Sequence, residues 1–223
     1  MKKILLTILA VGCLLTACGN SYGAASEPEE TPVSETVRSG GRISPLPSAI
    51  DMSHLDNCTV FVSLKEGDAY VDDTGAMQMK ITVYDYDRYD MTDIARLQPG
   101  DILTIRKNDI TVTDLEREAS GTVKINGGLV GDGYELVTDD SGVYYEILTN
   151  DAHYWQELGT ATIPVSPDFT LSDSSDPEKG EVIRYPGDFL MADGPIDYDF
   201  TPNQTSLVIQ DGRVISMRRI YIP

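Results

Sequence analysis

The sequence predicts an all-β domain, an antiparallel sandwich or barrel of about ten short strands with one or two short helical turns. Three observations lead there. Apolar and polar residues alternate with a period of two, turn-forming Gly, Asp and Asn separate the runs, and helical periodicity is nearly absent. The clearest run is 77–84, where Met77, Met79, Ile81 and Val83 share one face and Gln78, Lys80, Thr82 and Tyr84 the other.

The chain opens with Met1-Lys2-Lys3, an apolar run from Ile4 to Leu15, and then Leu15-Thr16-Ala17-Cys18. A positive start, a short apolar core and small residues at the exit are the layout of a secretory signal, and the run is short for a membrane span. The four closing residues resemble the lipobox of bacterial lipoproteins. That resemblance implies cleavage between Ala17 and Cys18, leaving residues 1–17 as signal peptide. It also implies a diacylglycerol on Cys18, a membrane anchor through lipid alone, and an extracytoplasmic location. Cys13 fits less well because Ala10 stands where the family has Leu. Of the three cysteines only Cys58 then remains, so no intrachain disulfide can form. Asn57-Cys58-Thr59-Val60-Phe61-Val62 reads as the start of a strand, and Cys58 as a small strand hydrophobe rather than a nucleophile.

Residues 18–47 are rich in Ser, Glu, Pro, Gly and Thr with scarcely a large apolar side chain. Such a composition cannot offset the entropy of ordering and predicts a disordered tether, roughly 30 Å in typical reach. The β domain is expected over 48–223. Val60, Val62 and Leu64 form a first stripe opposite Phe61, and 77–84 follows. Further strand-like runs lie at 102–105, 110–112, 121–125, 134–137, 143–148, 160–165, 207–210 and 214–222. Two segments read as short helices. One is 92–97, with Thr92 as cap and Pro99-Gly100 at its exit; the other is 151–158, capped by Asn150 and stopped by Gly159. Residues 166–205 carry five prolines and one fair strand at 182–185, and predict an irregular but ordered flap over one face or end of the β core. Gly67-Asp68-Ala69-Tyr70 with Asp72-Asp73-Thr74-Gly75 echoes Gly131-Asp132-Gly133-Tyr134 with Asp139-Asp140-Ser141-Gly142, which shared turn chemistry accounts for.

Charge excludes partners more than it nominates them. The chain holds 36 Asp and Glu against 17 Lys and Arg, a net charge of -19, and loss of the leader's two lysines makes it -21. A nucleic-acid binder needs a cationic surface to displace counterions, so nucleic acid is not an expected partner, and neither is electrostatic attachment to anionic lipid. Catalytic signatures are absent: there is no Gly-x-Ser-x-Gly and no His-Glu-x-x-His, and His54 reads as a surface or capping residue. So many acids prevent the sequence from nominating a glycosidase pair. Asp85, Asp87 and Asp90 have part of the spacing that presents oxygens to calcium, against which stands a solvated strand end with Arg88 as counter-charge. No other cofactor is expected. Aromatic residues give the best binding signal. Trp155, Tyr154 and His153 are the candidate ligand contacts, with Tyr84, Tyr86, Tyr89, Tyr144 and Tyr145 as further rings, although a core position for Trp155 competes with that reading. The expected function is non-catalytic capture of an extracellular carbohydrate, peptide or envelope partner; a glycosidase-like hydrolase and a structural subunit of an envelope complex are the alternatives.

Overall fold

In the computed structural model the described residues are 40–222, apart from 140, 150, 151 and 192. The signal segment, Cys18 and most of the expected tether lie outside them. The described chain is all-β, with sixteen strands, one α-helix and two 3-10 turns. The number exceeds about ten because seven of the strands are only two or three residues long, too short to leave a period-two pattern in sequence.

A five-stranded closed barrel forms the larger lobe. Its strands are β2 (Cys58–Ser63), β4 (Met77–Tyr86), β13 (Trp155–Ser174), β15 (Thr205–Gln210) and β16 (Arg213–Ile220), and around the circle the order is β2-β4-β13-β16-β15 and back to β2. All neighbours are antiparallel except β13 and β16. Thus the first barrel strand lies between the second and fourth, and the third runs parallel to the fifth, the connectivity of an OB-type barrel. Closure depends on β13, whose twenty residues pair with β4 over 155–164 and with β16 over 165–174. The alternation read from sequence places Val60 and Val62, Met79, Ile81 and Val83, and Leu207 and Ile209 inside, where Ile163, Val165, Phe169, Leu171, Val214 and Met217 complete the core. Fully burying side chains of this size stabilises the fold by about 1.5–3 kcal/mol each.

The excursion expected over 166–205 starts later, because β13 continues to Ser174; Pro167 is tolerated at an irregularity where the register with β16 shifts between Val165 and Thr170. The chain then makes β14 (Val182–Arg184) on the free side of β13 and a 3-10 turn at Pro186–Leu190. As the expected flap over the β core, the segment packs onto it: Phe189, Ile196 and Phe200 are buried in the core, with Phe189 5.7 Å from Phe169 and 6.2 Å from Phe200. Arg219 fixes the flap. It is 3% exposed, holds Asp173, its register partner on the parallel strand, with Nε and Nη2 (3.0 and 2.6 Å), and donates Nη1 to the Asp197 carbonyl (2.5 Å).

Between β4 and β13 the chain builds a second, smaller lobe. Its strands are β5 (Arg88–Asp90), β6 (Ile102–Ile105), β7 (Asn108–Thr111), β8 (Leu115–Arg117), β9 (Val123–Ile125), β10 (Tyr134–Thr138), β11 (Tyr144–Thr149) and β12 (Ala152–His153). They surround a separate core of Tyr89, Ile94, Leu97, Leu103, Ile105, Val112, Val123, Ile125, Leu136 and Ile147. The helix expected at 92–97 is α1 (Met91–Arg96), capped by Asp90 and not Thr92: the Thr92 N–H donates to the Asp90 carboxylate at 2.7 Å. The helix expected at 151–158 does not form there. Residues 152–153 and 155–158 are strand, because pairing of Trp155, Gln156 and Glu157 with Tyr86, Asp85 and Tyr84 overrides a weak local propensity. The domain also begins before residue 48. β1 (Arg42–Ile43) runs parallel to β6, the Gly41 N–H donates to Asp101 (2.6 Å), and a Cβ on Gly40 would lie 1.9 Å from the Gly100 carbonyl oxygen. The sheets are therefore mainly, but not wholly, antiparallel.

Removing one member of a buried ion pair strands the other, at a cost of about 3–5 kcal/mol. Chemical denaturation of Arg219→Met is expected to show a loss of that order at neutral pH. Burial pushes the Asp173 carboxyl up, but hydrogen bonds from Arg219 and Ser175 outweigh it and hold the carboxyl below its ordinary value. A depressed carboxyl stabilises the fold above its unfolded value and ceases to as pH falls through the folded one. The difference between parent and variant should therefore shrink on acidification below about pH 4.

Candidate functional site

On every barrel strand the residues between the core positions face outward. Across β2, β4 and β13 they align in rows by register: Phe61 beside Tyr84 beside Glu157; Ser63 beside Thr82 beside Thr160; Tyr86 beside Trp155. The Tyr84 hydroxyl shares a hydrogen bond with the Ser63 hydroxyl (3.2 Å). This face thus offers half-buried rings with hydroxyls between them, and Glu157, Thr160 and Thr162 exposed at its β13 side.

Trp155 is not an exposed platform. It is 8% exposed, packed against Phe61 (ring centroids 4.7 Å) and edge-on to Tyr86 (5.3 Å), and its Nε1–H donates to the Asn203 side chain. It is the support under the other rings. His153 joins the same cluster from β12, stacked on Tyr86 at 4.2 Å with planes 8° apart and edge-on to Trp155 at 5.0 Å. Its Nδ1 pairs with the carboxylate of Glu146 on β11, a residue only 4% exposed. Tyr86 receives Arg88 near its ring (5.5 Å), and burial, then the nearby Glu146 carboxylate, push its hydroxyl pKa up.

Tyr154 separates from its two neighbours, as the middle residue of an extended stretch must. It packs against the smaller core, with the Arg106 guanidinium 3.7 Å from its ring centre and Tyr134 edge-on at 6.3 Å. Of the three predicted contacts the structure brings together His153 and Trp155. Phe61 and Tyr86 join them and Tyr84 lies beside Phe61, all legible as the outward positions of alternating strands; Glu146 and Asn203 carried no signal in sequence.

The three aspartates read as a possible calcium site are held at different points. Asp85 accepts from the Ser48 hydroxyl (2.5 Å) and the Tyr86 N–H (2.9 Å), with Arg88 at 3.6 Å. Asp87 accepts from Gln156 (2.5 Å) and the Arg106 N–H (2.7 Å), and Asp90 caps α1. Among the described residues no group of three or more His, Cys, Asp or Glu converges as metal ligands would. Cys58 is half-buried, and burial, then Asp56, raise its thiol pKa, so the unreactive protonated form is favoured. The backbone N–H of His54 closes a turn onto the Asp51 carbonyl (3.0 Å). Comparison with protein families, curated proteins and solved structures finds no match to this chain.

The contrast between support and surface is measurable. Trp155→Ala should lower stability by about 3–5 kcal/mol in denaturant unfolding. Glu157→Ala, on the same face but exposed, should stay within about 0.5 kcal/mol of the parent.

Proposed function

We propose that this is an exported lipoprotein, anchored through lipid on Cys18, whose β domain binds a neutral oligosaccharide on the outer face of β2, β4 and β13 without catalysis. The observation that carries the reading is the arrangement in rows of Phe61, Tyr84 and Tyr86, with Phe61 and Tyr86 packed on Trp155 and Tyr84 beside Phe61, and Ser63, Thr82 and Thr160 in the next row. Sugar rings present an apolar face and an edge of hydroxyls, and a ring platform with interleaved hydroxyls complements both. By fold analogy alone, OB-type barrels use this face for oligonucleotides or oligosaccharides, and a net charge of -19 opposes the former. The anchor rests on the leader sequence; among the described residues no helix is long and apolar enough to cross a membrane.

Glycan-array binding followed by titration of the captured neutral oligosaccharide tests the face. Tyr84→Ala is expected to weaken capture at least about tenfold while disturbing stability far less than Trp155→Ala. Undiminished capture by Tyr84→Ala, or an array with no neutral glycan bound, would refute the assignment. For the anchor, Cys18→Ser should move the protein from the membrane to the soluble fraction, and continued membrane association would count against lipidation.

A further inference from the structure

A second site lies away from the aromatic face, where the end of β13, β14, the 195–197 segment and β16 meet. They line a solvent-open cavity of about 110 Å³, with Asp173, Asp176, Lys179, Arg184, Asp197 and Arg219 among its walls. A cavity needs about 10–15 Å³ of such volume per water, so this one holds several waters or one ligand of a few heavy atoms.

Its charges are balanced in kind, three cations and three acids, but not in pairing. Arg219 is committed to Asp173 and to the Asp197 carbonyl, and Lys179 to Asp176 at 2.8 Å. One cation and one acid are left. Among the described residues no carboxylate pairs with Arg184, and its Nε is buried without a partner. The Asp197 carboxylate accepts no hydrogen bond from them either, since only its carbonyl is used.

An unpaired guanidinium half-buried in a cavity wall attracts a carboxylate, which its planar fork can bind through two hydrogen bonds. A simple anion would also face three acids. A ligand carrying both charges satisfies the guanidinium and the free acid together and keeps the cavity neutral. Val182 and Pro195 add an apolar portion to the wall, which suits a short aliphatic side chain. We propose that this cavity binds a small zwitterion of the α-amino acid class, with Arg184 donating to its carboxylate and Asp197 accepting from its ammonium. Arg219 positions both sides by fixing Asp173 and the 197 backbone.

Calorimetric titration of the detergent-solubilised full chain with alanine, propionate and ethylamine tests this. Alanine should bind saturably, and the two half-ligands should each bind at least about tenfold more weakly, because each lacks one charge-assisted contact. Arg184→Gln should weaken alanine by at least a similar factor. Asp197→Asn, at an exposed position, should weaken alanine without weakening propionate, since it removes the ammonium's acceptor and one of the acids an anion would face. Tyr84→Ala should change none of these, which separates the site from oligosaccharide capture. No saturable alanine binding, or alanine bound equally by both cavity variants, would overturn the proposal. Propionate bound as tightly as alanine would overturn the zwitterion assignment in favour of a plain anion site. If Arg184→Gln fails to fold, the alanine and propionate titrations of Asp197→Asn decide it.

Discussion

The architecture depends on one strand being long enough to belong to two ladders. β13 pairs antiparallel with β4 through its first half and parallel with β16 through its second, and without that change of partner the circle β2-β4-β13-β16-β15 would not close. Closure removes free edges from the central barrel strands, which would otherwise be exposed to mispairing. The change of partner requires local irregularity. Register shifts fall between Glu157 and Gly159, and again between Val165 and Thr170 where Pro167 lies. Gly159 has φ +149, a backbone conformation that residues with a Cβ rarely adopt.

The position of this strand in the chain also brings the two lobes together. The smaller lobe leaves β4 at Tyr86 and returns at Trp155, and these two residues are register partners. Entry and exit of the insertion therefore meet at the aromatic cluster, where His153 and Glu146 from the smaller lobe join Tyr86 and Trp155 from the barrel. Extended alternation sends Tyr154, between His153 and Trp155, the other way, onto Arg106 and Tyr134. The candidate face and the seam between the lobes are thus built by the same few residues, and Trp155 has a structural role before it can have any role in binding.

What could be read in the sequence was what alternation alone determines. The all-β class, the inward Met79, Ile81 and Val83 and the outward Tyr84 and Tyr86 follow from the period of 77–86, and that same rule defines the face. The segment 151–158 was opaque because Asn150, a mixed polar and aromatic run and Gly159 imitate a capped helix, while the pairing that makes it strand comes from residues about seventy positions earlier. Pro167 hid the second half of β13, since proline normally argues against a strand interior and here sits at an irregularity. Gly40 to Ile43 read as tether because their composition is that of a tether; only the fit of Gly40 against Gly100 and of Gly41 against Asp101 shows why small residues stand there. The Glu146 and His153 pair and the cavity around Arg184 and Arg219 join segments with no shared pattern, so no periodicity could announce them.

The acidic excess, the most conspicuous feature of the composition, divides into different kinds of carboxylate once each is given its partners. Asp51, Asp72, Asp90, Asp139 and Asp176 accept hydrogen bonds from backbone N–H groups within their own turns. Each is held below its ordinary pKa, Asp90 chiefly by the Thr92 N–H and the others chiefly by side-chain donors, Ser53 on Asp51, Thr74 and Gln78 on Asp72, Lys179 on Asp176 and, against the upward push of burial, Ser141 on Asp139, with backbone N–H groups adding to them; Asp72 lies at about 2. The Gly67 and Gly131 echo in the sequence is this chemistry repeated: Asp72 takes N–H groups from Thr74 and Ala76, Asp139 from Val143 and Tyr144. These acids are structural, which is why so many can be present without forming a site. Asp85, Asp87 and Glu146 are different, buried and matched to specific donors across long separations or between strands. Asp197 belongs to neither group: it lines a cavity with its carbonyl in use and its carboxylate free. The charge count says only that acids abound; the partners and surroundings of each, found residue by residue, separate an acid that builds the fold from one that lines a cleft.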